Sequence, residues 1–423
     1  MSQPAIPFDP SCMDEYDPNS LPVDEALRRI DEGATPILGT ERVALRTSLG
    51  RVLAEPVSTP IDVPLHTNSA MDGYAIAGSA LRGVEPLALE VIGTSWAGRP
   101  YPGPVGQGES VRIMTGGVMP EGTDTVVIQE RAEQIKDTVR FAPDAVREGD
   151  NVRAAGEDIT AGSTVLEAGV RIGPAELGML ASVGIVEVTV RRRLRVAFFS
   201  TGDELRSLGE TLEPGSVYDS NRYTLFGMLT RLGAEIIDMG VVRDTPADVE
   251  RAFGEASACA DAIITSGGVS VGEADFVKET LESQGQVSFW KIAMKPGRPL
   301  AFGHVSEAVF FGLPGNPVSV MVTYYQFVQP ALRRMMGERE TRPPRIHVRT
   351  ATALKKRSGR VEFQRGVLRT GADGTMTVET TGGQGSGILS SMHSANCFII
   401  LPMENDGVAA GELVEVEPFY GVM

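Results

Sequence analysis

Between Arg195 and Gly337, short apolar runs alternate with stretches whose apolar residues recur every three or four positions. Residues 196–199, 235–242, 262–264 and 309–312 are apolar and β-branched enough to be strands buried on both faces. Leu225, Met228, Leu229 and Leu232 mark one face of a helix that Ser220 or Asn221 caps and Gly233 ends. Thr245, Pro246 and Asp248 open a second helix, residues 276–281 belong to a third that Gly285 stops, and a long one leads from Leu313-Pro-Gly-Asn-Pro317 to Gly337. This rhythm predicts a doubly wound α/β sheet with at least four loops along one edge.

The flanking patterns are different. Val23, Ala26, Leu27 and Ile30 give a short helix over 22–30, stopped by Gly33. Residues 87–92, 111–114, 125–129 and 139–141 are short strands separated by turn residues, hence a β-rich insert over 57–152. Asp72-Gly73 within it is a turn signal, and turn formation alone is one explanation of it. Pro174 begins a helix burying Leu177, Leu180 and Ala181, with Gly184 as its stop, and residues 186–190 form a strand. Arg191, Arg192, Arg193 and Arg195 read as a solvated linker rather than an RNA-binding patch. Beyond the linker at 342–344, strands are expected at 346–350, 361–368, 376–380, 397–401 and 413–416. The expected organisation is a mobile acidic tail (1–20), a discontinuous small α+β body (21–56 with 153–193), the insert (57–152), the doubly wound domain (194–341) and a C-terminal β-barrel-like domain (342–423).

Composition narrows the function. The 423 residues carry 39 Lys and Arg against 55 Asp and Glu, a net charge of −16, which argues against nucleic acid as a partner. No run approaches the length of a membrane span, and the acidic N-terminus is not a signal peptide. Cys12, Cys259 and Cys397 lie too far apart for a metal motif or a disulfide framework, so a reducing cytoplasm is expected. The four histidines (His66, His304, His347, His393) form no ligand pattern.

The stretch from Asp261 to Asp275 combines a short strand with a loop of small residues and three glycines, an arrangement that brings bare backbone N–H groups to an anion. It is neither G-x-G-x-x-G nor a Walker loop, and an ordinary tight strand–helix turn explains it as well. In an open α/β sheet, ligands sit beyond the carboxyl ends of the strands. The loops there offer Asp203, Glu204, Asp244, Ser270, Asp275 and Asn316, and Lys291 and Lys295 lie four apart on one side of an extended segment. Carboxylates recurring in three loops on one edge need a cation, and magnesium, an oxygen-ligated ion that bridges carboxylates to phosphates, suits them.

Seven elements occur in order: Asn68-Ser-Ala-Met-Asp-Gly-Tyr-Ala75, Arg112-Ile-Met-Thr-Gly116, Gly156-Glu-Asp158, Phe199-Ser-Thr-Gly-Asp-Glu-Leu205, the 265–275 loop, Lys291…Lys295-Pro-Gly297 and Gly312-Leu-Pro-Gly-Asn-Pro317. Together they resemble the MoeA family of molybdopterin molybdenumtransferases, related to the E domain of gephyrin. The resemblance covers nearly everything after residue 20. It implies a homodimer with a cleft between the doubly wound, molybdopterin-binding domain of one subunit and the insert of the other. It also implies insertion of molybdate into adenylylated molybdopterin with release of AMP, a divalent cation being present. By the same resemblance, Asp72 and Thr115 come from the partner's insert, while Glu204, Asp244 and Asp275 line the cleft as metal ligands and Lys291 and Lys295 hold the anion. Arg153, Asp158, Thr201, Gly202, Ser266, Gly267, Gly268, Ser270, Pro314, Gly315, Asn316, Pro317 and Ser386 would contact substrate. One departure concerns charge: Arg153 is followed by Ala154 and Ala155, where relatives can carry several arginines.

Two other readings compete. The doubly wound domain alone resembles MogA, the molybdopterin adenylyltransferase expected as the upstream partner, which would make the chain an adenylyltransferase. A dimeric scaffold is the second. The insert with Met71-Asp72-Gly73 favours metal insertion over the first, and the intact acidic and lysine positions argue against the second.

Overall fold

The computed structural model describes residues 20–82, 85–268 and 285–419; the expected tail, Ser270, Asp275 and the helix expected at 276–281 lie outside the described residues. The chain divides into two compact units, one formed by Arg42–Val190 and one by the segments that flank it.

α1 (Val23–Gly33) opens the flanking unit and buries Val23, Ala26, Leu27 and Ile30, as their spacing requires. The 42–190 unit contains a six-stranded sheet of β1 (Gly73–Ile76), β2 (Leu87–Ser95), β3 (Glu109–Ile113), β4 (Thr125–Ile128), β5 (Glu133–Ile135) and β6 (Thr138–Phe141). Their order is β4-β1-β3-β2-β6-β5, with β2 and β3 the parallel pair. Alternation along the strands sends Tyr74, Ile76, Val127, Val139 and Phe141 into one core and Ala75, Ile113 and Val126 into another. A further small core joins Leu53, Ile172, Leu180, Val188 and Val190. α2 (Pro174–Ser182) reaches it through Leu180, with Leu177 at its margin. Ala181, expected to be buried, is exposed, because this nine-residue helix meets the core along a single narrow stripe.

In the flanking unit the alternating pattern becomes β7 (Arg195–Thr201), α3 (Ser220–Leu232), β8 (Glu235–Val242), α4 (Pro246–Cys259), β9 (Ala262–Ser266), β10 (Gly285–Lys291), β11 (Met294–Lys295), β12 (Pro299–Val305) and β13 (Ala308–Leu313). The sheet order is β8-β7-β9-β13-β12-β10; its first four strands are parallel, and β12 and β10 extend it antiparallel. One face packs Ala197, Phe199, Ile263 and Phe310 against Val249, Phe253 and Ala256 of α4. After β13, α5 (Pro317–Thr323) passes through a π-helical turn (Tyr324–Val328) into α6 (Gln329–Met335).

The C-terminal strands are β14 (Ile346–Thr350), β15 (Val361–Thr370), β16 (Met376–Thr380), β17 (Cys397–Leu401) and β18 (Leu413–Pro418). They pair in the cycle β15-β16-β14-β18-β17 and back to β15, a closed five-stranded barrel filled by Val348, Val378, Ile399, Val414 and Val416. Closure leaves these five strands no free edge.

Three local expectations are corrected. Asp219 caps α3, its carboxylate accepting from the Arg222 backbone N–H at 3.1 Å, which places Ser220 and Asn221 inside the first turn. The arginine cluster is no solvated linker: Arg192 donates two bonds of 2.7 Å to Asp261, and the Arg195 backbone N–H donates to the same carboxylate at 2.8 Å. The segment bearing Lys291 and Lys295 is not one strand. Met294 N–H turns back onto the Ile292 carbonyl at 2.8 Å, so Lys291 ends β10 while Lys295 lies in β11, which pairs with β15 of the barrel region. Alternation across a continuous strand therefore does not govern this pair.

Candidate functional site

The carboxyl ends of β7, β8, β9 and β13 form one edge, and the geometry of the loops there follows from backbone sterics. β7 slips register against β8 between Phe198 and Ser200, with Gly240 at φ 82° opposite the slip. β7 then ends at Thr201, and Gly202 leads to Asp203 and Glu204. β9 ends at Ser266 and turns through Gly267 (φ 90°) and Gly268 (φ 68°). A Cβ on Gly267 would stand 2.5 Å from the Thr201 carbonyl oxygen, so two turns approach as only glycine permits. The Gly267 N–H donates to the Leu313 carbonyl at 3.1 Å, which brings the Leu313-Pro-Gly-Asn-Pro317 loop alongside.

Asp244, half-buried after β8, feels both carboxylates of the β7 loop. Burial, and then the like charges of Asp203 and Glu204, push its carboxyl above the usual range. Two acidic loops thus converge at this edge. The third expected carboxylate, Asp275, and Ser270 lie outside the described residues. Among the described residues no three His, Cys, Asp or Glu side chains are grouped as a metal site.

Ser386 lies in the barrel segment before α7 (Leu389–Ser394), and its carbonyl accepts from the Val318 N–H at 3.1 Å, at the start of α5. It is thereby brought to the loop of Pro314, Gly315, Asn316 and Pro317. A cavity of about 650 Å³ elsewhere in the same unit, lined by Leu27, Tyr325, Phe363, Arg345 and Glu417 among others, includes none of the expected site residues.

The 42–190 unit carries its own polar group. Gly73 at the start of β1 packs where a Cβ would collide with the Val127 carbonyl, which fixes the backbone beside Asp72. Asp72 Oδ1 accepts from both the Thr115 N–H and the Thr115 hydroxyl at 2.7 Å. These two bonds, the backbone one foremost, hold its carboxyl below the usual range, with the Arg112 charge assisting. Arg112 lies over the Tyr74 ring and donates to the Tyr74 hydroxyl at 2.7 Å and to Gln129 Oε1 at 2.8 Å. Arg153 pairs in register with Asn68, adjacent to Ser69, whose carbonyl accepts from the Gly116 N–H at 2.8 Å. Asp158 is exposed, with its N–H on the Val63 carbonyl at 3.0 Å.

Asn221, expected only as a candidate cap of α3, has a different part here. Its side chain is buried and donates to Ser266 Oγ at 2.8 Å and to the Gly315 carbonyl at 2.7 Å. The signal was present: 221 falls on the buried stripe of 225, 228 and 232, where a polar side chain must find partners.

Comparison with known proteins agrees with this architecture. Family models match in chain order: the MoeA N-terminal region (domain I and II) over residues 21–184, a probable molybdopterin binding domain over 197–334, and the MoeA C-terminal region (domain IV) over 347–419. A molybdopterin molybdenumtransferase of Haemophilus influenzae is 45% identical over 401 residues, 94% of this chain and 98% of that protein. One from Nostoc sp. is 37% identical over 89% of this chain and 88% of its own length. The crystal structure of the molybdopterin biosynthesis moeA protein from Pyrococcus horikoshii OT3 superposes with a TM-score of 0.82 at 28% identity, covering 95% of this chain and all of that one.

Proposed function

The chain belongs to the MoeA family and is a transferase of molybdenum cofactor biosynthesis, and from that premise we propose that it inserts molybdate into adenylylated molybdopterin and releases AMP. The observation that carries this reading is the like-charge pressure of Asp203 and Glu204 on Asp244, at the strand edge where glycine turns leave a backbone bare enough to meet a phosphate. Thr201, Gly202, Ser266, Gly267 and Gly268, with Ser270, would cradle the nucleotide phosphate, and Pro314, Gly315, Asn316, Pro317 and Ser386 would close that edge. Lys291 and Lys295 would pair with the remaining anionic oxygens.

The donor set suits magnesium. Glu204 and Asp244, with Asp275, would hold it through oxygen atoms, and the unfavourable charge around Asp244 is what a divalent cation relieves. When bound, the ion would neutralise charge on the phosphate. Asp72, kept ionised by Thr115, would come with Arg153 and Asp158 from the insert of a second copy in a homodimer. A separate molybdopterin adenylyltransferase would supply the substrate, in the cytoplasm. The relatives named for metal transfer do not favour adenylylation or a scaffold role for this chain. The test is anaerobic incubation with adenylylated molybdopterin, magnesium and either molybdate or tungstate, reading AMP and reconstitution of an apo-molybdoenzyme. No AMP with either oxyanion refutes the proposal; ATP consumption with free molybdopterin would instead establish the adenylyltransferase.

A further inference from the structure

We propose that Asn221 is a positioning residue that locks the β9 turn to the loop after β13, so that both present their backbone to the substrate as one rigid cradle. The inference rests on the function proposed above for its substrate, while its geometry stands on its own. A side-chain amide has two N–H donors, and Asn221 spends both on this edge, one on Ser266 Oγ and one on the Gly315 carbonyl. The two acceptors belong to neighbouring strands' exits, since Ser266 pairs in register with Leu313.

Backbone bonds hold the second loop at its ends, at the Leu313 carbonyl and at the Val318 N–H, while its middle offers few groups of its own. Pro314 and Pro317 lack an N–H, and Gly315 has no side chain and, among the described residues, no neighbour within 4 Å of where a Cβ would be. A carbonyl is the handle such a loop offers, and Asn221 takes it. The Gly267 N–H to Leu313 carbonyl bond at 3.1 Å lies directly beside this bridge, so the bridge and the backbone bond brace the same pair of turns. Asn221 is nine-tenths buried, and its Oδ1 has no hydrogen-bond partner among the described residues, so the amide is oriented by its two donor bonds. A side chain whose only task was helix capping would not sit there, because Asp219 already caps α3.

The test compares wild type with Asn221→Ala, Ser266→Ala and the double variant in three readouts: amide exchange at Gly267, affinity for AMP, and kcat and KM for AMP release. Loss of the bridge should speed Gly267 exchange and raise the AMP dissociation constant and KM about tenfold, with kcat changed less. The double variant should exchange Gly267 no faster than Asn221→Ala, since both substitutions cut one link. Folded Asn221→Ala with AMP affinity and KM within twofold of wild type overturns the proposal, even if exchange increases, because the role is then structural. Additive increases of Gly267 exchange in the double variant also overturn it. Should Asn221→Ala fail to fold, Asn221→Ser, which keeps a small polar side chain too short to span both acceptors, decides by the same criteria. If wild type releases no AMP from the adenylylated substrate yet Gly267 protection depends on Asn221, the proposed function fails and the bridge stands.

Discussion

Asp244 offers a perturbation whose two consequences have opposite signs. Its carboxyl is raised by burial and by Asp203 and Glu204, so the folded chain favours the protonated form more than the unfolded chain does. A raised acid destabilises the fold once it is ionised: the penalty is absent below the unfolded value near pH 4 and complete above the folded value. Two unit charges about 5 Å apart repel by roughly 3 kcal/mol at an effective dielectric near 20. Asp244 is partly exposed, and solvent screening reduces the expected penalty to about 1 kcal/mol. Asp244→Asn removes it while nearly preserving shape. At pH 7.5 without divalent cations the variant should therefore melt about 2–4 °C above wild type if the unit unfolds cooperatively. That margin should shrink as the pH falls toward 4. Magnesium should raise the melting temperature of wild type more than that of the variant, and AMP release should fall at least a hundredfold. Scanning calorimetry from pH 4 to 8, with and without magnesium, measures the first effects, and a single-turnover AMP assay measures the last. A variant that melts below wild type at pH 7.5 would refute the reasoning, since Asp244 would then be held by a favourable partner rather than crowded by like charges.

Three further outcomes follow from the same geometry. Gly267→Ala places a Cβ 2.5 Å from the Thr201 carbonyl oxygen at φ 90°, and should cost about 2–3 kcal/mol in denaturant titrations and abolish AMP release. Thr115→Val leaves Asp72 one donor of its two, so its carboxyl should rise toward the ordinary range; the acidic limb of the kcat/KM profile should move to higher pH with the alkaline limb unmoved. Asp261→Asn should lower stability by about 2–3 kcal/mol, because Arg192 loses its charge partner and one of its two 2.7 Å acceptors, an amide NH2 standing where an oxygen was. Burial acts to raise the Asp261 carboxyl, but Arg192 and the Arg195 backbone outweigh it, so this contribution is present above about pH 4 and lost on acidification through the lowered folded value.

Much of the fold was legible because periodicity reports burial. β8, β14, β16 and β17 have the limits their patterns suggested, since each is bounded by turn residues and packed on a core. The glycine turns were legible too: a chain that must pass through φ 90° and φ 68° at Gly267 and Gly268 advertises it in residue type. Where the reading failed, a partner distant in sequence had intervened. Arg192 looked like a linker residue until Asp261, far along the chain, supplied its carboxylate. The lysine segment looked continuous because nothing local marks the turn at Met294; pairing of Met294 with Val361 in the barrel region decides that break.

Sequence alone determined the alternation of strands and helices, the positions of the turns and the residue types fit for a phosphate and a cation, because each is set by local sterics, hydrophobic spacing or side-chain chemistry. Tertiary structure decided what chain distance conceals. It brought Asp244 within the field of Asp203 and Glu204, closed five strands into a barrel, carried Ser386 to the start of α5, and turned Asn221 inward to join two loops. The physical reason is range: a propensity acts over a few residues, whereas an electric field or a hydrogen bond acts across whatever distance in sequence the fold has erased.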